Sequence, residues 1–163
     1  MGRRINPRFT GLRRLAQIPR ALLLIVLMLG LGLPAPSALA GISPVAELMA
    51  QQALVQQSVP YAEAIANSRP TLVEFYADWC GSCRALAPTL QSLHQAFSSQ
   101  VDFVMLNIDD PQWRQQIQQF HATGVPHLAL LEADHSLVQS WVGIVPEAIL
   151  TKQIRRLISA SPP

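Results

Sequence analysis

Both cysteines of this 163-residue chain lie in one short segment, residues 79–83 (WCGSC). The segment follows a β-branched and aromatic run, typical of a buried strand, and begins a run with helical spacing. At a helix start, unpaired N–H groups and the helix dipole stabilise a thiolate, and two intervening residues permit a disulfide. The pattern predicts a dithiol redox centre. We expect Cys80 to be exposed and to attack a substrate disulfide, and Cys83 to resolve the mixed disulfide.

Three other uses of the cysteine pair fit the sequence less well. A structural disulfide that closes so short a loop would add little stability. Zinc needs four ligands, so His121 and His127 would have to complete the site. Covalent haem attachment needs a histidine directly after the second cysteine, where this chain has Arg84. We therefore expect no metal and no cofactor.

The elements that must position the cysteines follow from hydrophobic periodicity and from proline and glycine breaks. From residue 60 onward the predicted order is α β α β α β β α, with parallel strands joined by helices first and a hairpin last. The predicted strands cover residues 71–76, 101–106, 127–131 and 136–142. The predicted helices cover residues 61–67, 83–97, 111–120 and 146–158. Residues 43–58 predict a further helix, either a spacer or an N-terminal extension packed on the domain.

The N-terminal region has the features of a targeting or anchoring segment. Residues 1–20 contain six arginines and no acid, and the 13 residues 21–33 are apolar and uncharged. As a helix that run spans about 20 Å, less than the ~30 Å hydrocarbon core. Residues 38–40 (ALA) fit the small-x-small form that signal peptidase cuts. Two interpretations stay open: a signal peptide cleaved after Ala40, or an uncleaved membrane anchor through residues 21–40. Both place the rest of the chain on the extracytoplasmic side.

Composition limits the remaining possibilities. Half of the residues are hydrophobic and 13% are charged, which favours a packed domain over disorder. Six of the twelve basic residues lie in residues 1–20, so from position 21 onward six basic residues face ten acidic ones, a net charge of −4. No basic patch interleaved with aromatic residues is present, which argues against nucleic-acid binding. Because we see no exposed apolar stripe in the pattern, we expect a monomer.

Residues 73–88 (VEFYADWCGSCRALAP) resemble the active-site segment of the thioredoxin family. Residues 106–109 (LNID), 124–126 (GVP) and 142–143 (VG) match further motifs in the family's order and spacing, so the resemblance covers about residues 60–157. It implies an α/β thioredoxin fold, a central mixed sheet flanked by helices, preceded here by the hydrophobic signal or anchor segment. The domain boundaries expected are 1–40 for that segment, 41–59 for the spacer or N-terminal helix, 60–158 for the thioredoxin domain and 159–163 for a tail.

A narrower resemblance rests on EFYADWC, FVMLNIDD and GVPH behind an N-terminal hydrophobic segment. These motifs are similar to those of membrane-anchored, lumen-facing thioredoxin-like proteins of cyanobacteria and chloroplast thylakoids. Plant members of that group are implicated in assembly of the cytochrome bf complex and are thought to receive electrons through a membrane thiol transporter. The resemblance thus implies a thylakoid-lumen or periplasmic location.

The resemblance also implies roles for individual residues. It identifies Pro126 as the family's cis-proline beside the dithiol, and Val125 as the residue whose backbone pairs with a substrate chain. Glu74 is expected to be buried behind the dithiol with a raised pKa and to exchange protons with Cys83; the alternative is a carboxylate that reaches solvent at a strand edge. Met105 replaces a lysine that often partners this carboxyl in thioredoxins, which favours a larger rise in the pKa.

Further expected roles concern the rim of the dithiol. The residues expected to contact substrate are Trp79, Gly81, Ser82, Val125 and Gly143. Ser82 replaces the proline that most thioredoxins have between the cysteines, which leaves the direction of electron flow open. His127 either tunes the thiolate or is a partly buried structural residue.

These features together predict a thiol-disulfide oxidoreductase that reduces extracytoplasmic protein disulfides, such as those of apocytochrome cysteines. Its expected partners are protein dithiols and disulfides, a membrane thiol-electron transporter and, if residues 21–40 are uncleaved, the membrane itself. Two alternatives are an oxidant that inserts disulfides and an assembly factor or chaperone that binds unfolded chains with secondary redox activity.

Overall fold

The computed structural model describes residues 43–160, so the predictions for the N-terminal hydrophobic segment lie outside the described residues. The helices are α1 (Pro44–Gln57), α2 (Tyr61–Ala64), α3 (Gly81–Phe97), α4 (Arg114–Gln119) and α5 (Glu147–Ala160). The strands are β1 (Thr71–Tyr76), β2 (Asp102–Asn107), β3 (His127–Leu131) and β4 (Leu137–Val142). Within the described part of the chain, no helix combines the length and apolarity needed to span a bilayer.

The four strands form one mixed sheet in the order β2-β1-β3-β4. Strand β1 pairs parallel with β2 and antiparallel with β3, and β4 forms a hairpin with β3. This arrangement confirms the predicted mixed sheet flanked by helices. It also makes β1, which leads directly into the cysteine segment, an interior strand whose six residues are all buried.

Two predicted helices differ most from those observed. Helix α2 ends at Ala64, three residues before the predicted end. The turn that follows is held by the side chain of Asn67, which donates to the Glu63 carbonyl at 3.1 Å and to Asp102 Oδ2 at 2.7 Å. The helix predicted over residues 111–120 is divided into a 3₁₀ turn (Pro111–Trp113) and α4. The predicted bounds of β1 and β3 match those observed.

The two faces of the sheet are covered by different helices. Leu72 faces a cluster shared with α1, α3 and α5, while Val73 and Phe75 face a cluster shared with α2 and the segment after α4. This division follows from the alternation of side chains along a strand. The residues predicted to form the inner face of α3 are buried as expected; they are Leu86, Leu90, Leu93 and Phe97.

Helix α1 packs on the domain and also leaves apolar side chains exposed. Ala50 and Leu54 are buried in the cluster with α3 and α5. Val45 and Met49, one turn apart, are 64% and 65% exposed, and Leu48 is 42% exposed. The expectation that no apolar stripe is exposed, on which the prediction of a monomer depended, is therefore wrong. The pattern misled because α1 carries apolar residues on more than one face.

Candidate active site

The cysteine segment lies at the junction between the interior strand β1 and helix α3. Cys80 is the N-cap residue of α3, and its sulfur accepts a hydrogen bond from the backbone N–H of Cys83 at 3.1 Å. The two cysteines form a disulfide with a Cα–Cα distance of 5.3 Å. The same N–H group that binds the sulfur here is placed to stabilise a Cys80 thiolate once the disulfide is reduced.

Both cysteines are buried in this oxidised form. Cys80 is 4% exposed and Cys83 is 1% exposed, so the expectation of an exposed Cys80 is wrong for the disulfide state. The disulfide belongs to a small cluster with Tyr76 and Ala77, against which Met105, Ile108 and Val125 also pack. In the disulfide state the sulfur of Cys80 is therefore held inside this cluster. The sequence pattern alone could not show this burial.

The residues between the cysteines differ in what they contribute. The hydroxyl oxygen of Ser82 lies 3.4 Å from the sulfur of Cys80, within hydrogen-bonding range for sulfur. Gly81 is exposed, and a Cβ placed there would meet only the Arg84 guanidinium, at 3.8 Å. Ser82 therefore contacts the reactive sulfur, whereas the space around Gly81 does not require glycine.

A second loop meets the dithiol from the start of β3. The peptide bond between Val125 and Pro126 is cis. Val125 packs against the cysteine cluster, and the Pro126 carbonyl accepts the N–H of Gly143 at 2.8 Å. Gly143 has φ of +89°, a conformation that favours glycine, although a Cβ placed there would meet no atom of the described residues within 4 Å. The fold thus packs Val125 against the cysteine cluster and joins Gly143 to the adjacent Pro126.

Trp79 forms an exposed flank of the cysteine segment. It is 65% exposed, and its indole N–H donates to Asp109 Oδ2 at 2.9 Å. The preceding residue, Asp78, accepts from Asn107 at 3.3 Å through its side chain and from Arg84 at 2.8 Å through its carbonyl. The loop after β2 therefore fixes the orientation of a side chain that points largely to solvent.

Glu74 is buried in the middle of β1 and does not reach solvent at a strand edge. It is 2% exposed, and its neighbours on the adjacent strands are Met105 and Leu128. Its Oε1 atom has no hydrogen-bond partner within residues 43–160. Loss of solvation raises the pKa of Glu74 to about 8, because the charged form is penalised in an apolar environment. The carboxyl lies on the face that α3 covers, the same face as Leu72 and Tyr76.

His127 lies on the opposite face of the sheet from Glu74. It pairs with Phe75, and the two rings meet edge to face with centroids 5.7 Å apart. The side chain is buried, and neither ring nitrogen has a partner among the described residues. Burial lowers its pKa. His121 is exposed, and no group of three metal-ligating side chains occurs within residues 43–160.

Gln51 is a residue near the site that the sequence pattern did not indicate. It lies on the inner side of α1, 3% exposed, and its side-chain N–H donates to the Ala77 carbonyl at 3.4 Å. The helix carries three other glutamines, all exposed (Gln52, Gln56 and Gln57), so this one could not be distinguished by residue type. The one sequence feature that could have indicated its burial is its position next to Ala50 and three residues before Leu54, which are also buried.

Comparison with known proteins agrees with this geometry. The family model described as Thioredoxin matches residues 52–156. The chain is 38% identical over 151 residues to the thiol:disulfide interchange protein TxlA of Synechococcus elongatus, covering 93% of this chain and 74% of that protein. It is 40% identical over 104 residues to the chloroplastic thioredoxin-like protein HCF164 of Arabidopsis thaliana, covering 64% of this chain and 40% of that protein. The chain thus spans less than half of the Arabidopsis protein. These two matches confirm the predicted similarity to cyanobacterial and chloroplast thioredoxin-like proteins.

Solved structures show the same fold. Mitochondrial thioredoxin 3 of Saccharomyces cerevisiae in its oxidised form is similar, with a TM-score of 0.50 and 28% identity. The match covers 59% of this chain and 85% of that one.

Proposed function

Because this chain belongs to the thioredoxin family and is a protein-disulfide oxidoreductase, we propose that it reduces disulfide bonds of extracytoplasmic proteins. The observation that carries the proposal is the Cys80–Cys83 disulfide at the start of α3, with the Cys83 N–H directed at the sulfur of Cys80. In the proposed direction, this disulfide is what forms when the dithiol has given two electrons to a substrate.

The reaction begins from the reduced dithiol. The Cys80 thiolate attacks one sulfur of the substrate disulfide, which forms a mixed disulfide and releases the other substrate sulfur as a thiolate that takes up a proton. Cys83 then loses its proton and attacks the sulfur of Cys80. The mixed disulfide breaks, the second substrate sulfur leaves and is protonated, and the Cys80–Cys83 disulfide forms. The substrate gains two electrons and two protons, and a dithiol donor must later restore the enzyme.

Glu74 is proposed as the proton acceptor for Cys83. Its carboxyl lies on the face of the sheet that α3 covers, and Cys83 is in the first turn of that helix. With a pKa of about 8, roughly a tenth of the carboxyl is ionised at pH 7 and half of it at pH 8, so a carboxylate that can accept the proton is present at mildly alkaline pH.

Substrate binding is proposed at the rim formed by Trp79, Val125 and Gly143. Val142 and Ile144, on either side of Gly143, are each 61% exposed. An exposed apolar rim beside the dithiol suits an extended or unfolded chain, with the Val125 backbone available for strand-like pairing. Gly81 and Ser82 would contact the substrate at the cysteines themselves.

The proposed location is the thylakoid lumen or the periplasm, with residues 21–40 either cleaved or retained as an anchor. Support comes from the six arginines before the apolar run and from the similarity to the cyanobacterial and chloroplastic proteins. Apocytochrome cysteines awaiting haem are the proposed substrates, and a membrane thiol-electron transporter is the proposed donor.

Trapping of the mixed disulfide tests the roles of both cysteines. In Cys83→Ser the mixed disulfide cannot be resolved, so incubation with a disulfide-bonded protein should give one covalent adduct per chain on non-reducing gels. Cys80→Ser is the matched control and should give none. Adducts of equal yield from both variants would contradict the assigned roles. If the double variant retained full function in vivo, an assembly or chaperone role would replace reductase activity.

A further inference from the structure

Gln51 is the one polar residue among the three buried residues of α1, and the other two, Ala50 and Leu54, pack in the apolar core. An amide buried without hydrogen bonds costs free energy, so the side-chain N–H of Gln51 needs a partner; its Oε1 has none within residues 43–160. It also lies one residue before the segment matched by the family model. The contact it makes joins α1 to the redox centre.

The partner of Gln51 is a carbonyl that belongs to the cysteine loop. The oxygen of Ala77 accepts the Gln51 side-chain N–H at 3.4 Å and the backbone N–H of Cys80 at 3.1 Å. Ala77 has no exposed surface, so its carbonyl oxygen is bonded by these two donors and not by bulk water. One carbonyl thus connects α1 to the residue that carries the reactive sulfur.

We propose that Gln51 is a positioning residue of the redox centre, holding the Ala77–Cys80 turn so that the Cys80 sulfur faces the first N–H groups of α3. That orientation is visible in the 3.1 Å hydrogen bond from the Cys83 N–H. A looser turn would separate the sulfur from these donors for part of the time, and the thiolate would lose stabilisation. The proposal rests on the proposed role of Cys80 as the attacking thiolate.

The test uses Gln51→Met, which keeps the length of the side chain and removes the amide. Gln52→Met is the matched control, since it makes the same chemical change at the adjacent, exposed position of α1. The rate at which iodoacetamide alkylates Cys80 is measured against pH in the reduced full chain, with the site identified by mass spectrometry. We expect the apparent pKa of Cys80 to rise by about half a unit in Gln51→Met. Alkylation would then slow about threefold below that pKa, and the rates would converge at high pH.

Two results would overturn the proposal: a profile for Gln51→Met that matches Gln52→Met, or an equal loss of rate at every pH, which a purely structural role would give. If Gln51→Met does not fold, exchange of the Gln51 side-chain amide protons in the wild-type protein decides. Exchange at least tenfold slower than for Gln52 supports the contact, and equal exchange contradicts it. Failure of the reductase proposal would appear differently, as a wild-type chain without reductase activity.

Discussion

Glu74 and Met105 are paired residues in the parallel strands β1 and β2, and Met105 has no positive charge to offset the carboxylate of Glu74. Resemblance to thioredoxins implied that Met105 replaces a lysine that often partners this carboxyl. The Glu74 carboxyl is buried, and loss of solvation alone raises its pKa to about 8. Stability and catalysis should therefore both depend on the protonation of this one group.

The free energy of unfolding should fall as pH rises, and Glu74→Gln should remove the fall. Glu74 has a pKa of about 8 in the folded state against an ordinary value of 4.5, so the folded state holds the proton more tightly. The contribution is complete below pH 4.5 and is lost progressively as pH rises to about 8, on the order of 5 kcal/mol at most. Denaturant unfolding of the oxidised chain at pH 5 and pH 8.5 measures it. Parallel pH dependence in wild type and Glu74→Gln would contradict the assignment.

The same substitution should slow the second step of the reaction more than the first. Without a carboxylate to accept its proton, Cys83 attacks the mixed disulfide at least tenfold more slowly near neutral pH. Stopped-flow mixing with a disulfide-bonded substrate, quenched with acid and resolved by mass spectrometry, should show the mixed disulfide accumulating in Glu74→Gln. An unchanged lifetime of that intermediate would remove Glu74 from the proton transfer.

Ser82→Pro should make the dithiol more reducing. The Ser82 hydroxyl lies 3.4 Å from the Cys80 sulfur and can donate to a thiolate there, which stabilises the reduced form. Proline is tolerated in the first turn of a helix and removes that donor. The reduction potential should become more negative, and Ser82→Ala, which loses the hydroxyl without adding a ring, should shift it in the same direction. A shift in Ser82→Pro alone would assign the effect to the ring.

Asp109→Ala should weaken substrate binding with little loss of stability. The carboxylate accepts the indole N–H of Trp79 at 2.9 Å, and Trp79 is 65% exposed at the rim of the dithiol. Loss of one exposed hydrogen bond should cost about 1 kcal/mol or less. Because the indole of Trp79 would no longer be held by this hydrogen bond, KM should rise several-fold while kcat changes little. Asp109→Asn retains an acceptor oxygen and serves as the control; if it matched Asp109→Ala, charge would outweigh orientation.

Much of the architecture could be predicted because the sequence carries strong local signals. The apolar run ending at Tyr76 and the proline and glycine breaks around Pro126 defined β1 and β3 to the residue. The early end of α2 could not be predicted, since it depends on Asn67 reaching Asp102, 35 positions away. The exposed face of α1 was missed because apolar residues lie on more than one side of that helix.

The candidate site divides in the same way. Burial of Glu74 followed from a carboxylate within an apolar strand, and the helix start at the cysteines followed from the helical spacing of the apolar residues after them. The near-equal burial of Cys80 and Cys83 could not be predicted, because it depends on how Val125 and Met105 close over the disulfide. Gln51 was missed since one buried glutamine among several exposed ones has no signal in residue type.

The central claim, that the dithiol donates electrons to substrate proteins, is tested most directly by its reduction potential. The full chain is equilibrated in graded thiol buffers, and the fractions of dithiol and disulfide are read by acid trapping, alkylation and mass spectrometry. Family potentials extend from about −270 mV for a reductant to about −120 mV for a strong oxidant. We predict a value near the reducing end, which would require a dithiol donor to regenerate the enzyme. A value near the oxidising end would contradict the reductase assignment and make the chain an inserter of disulfides.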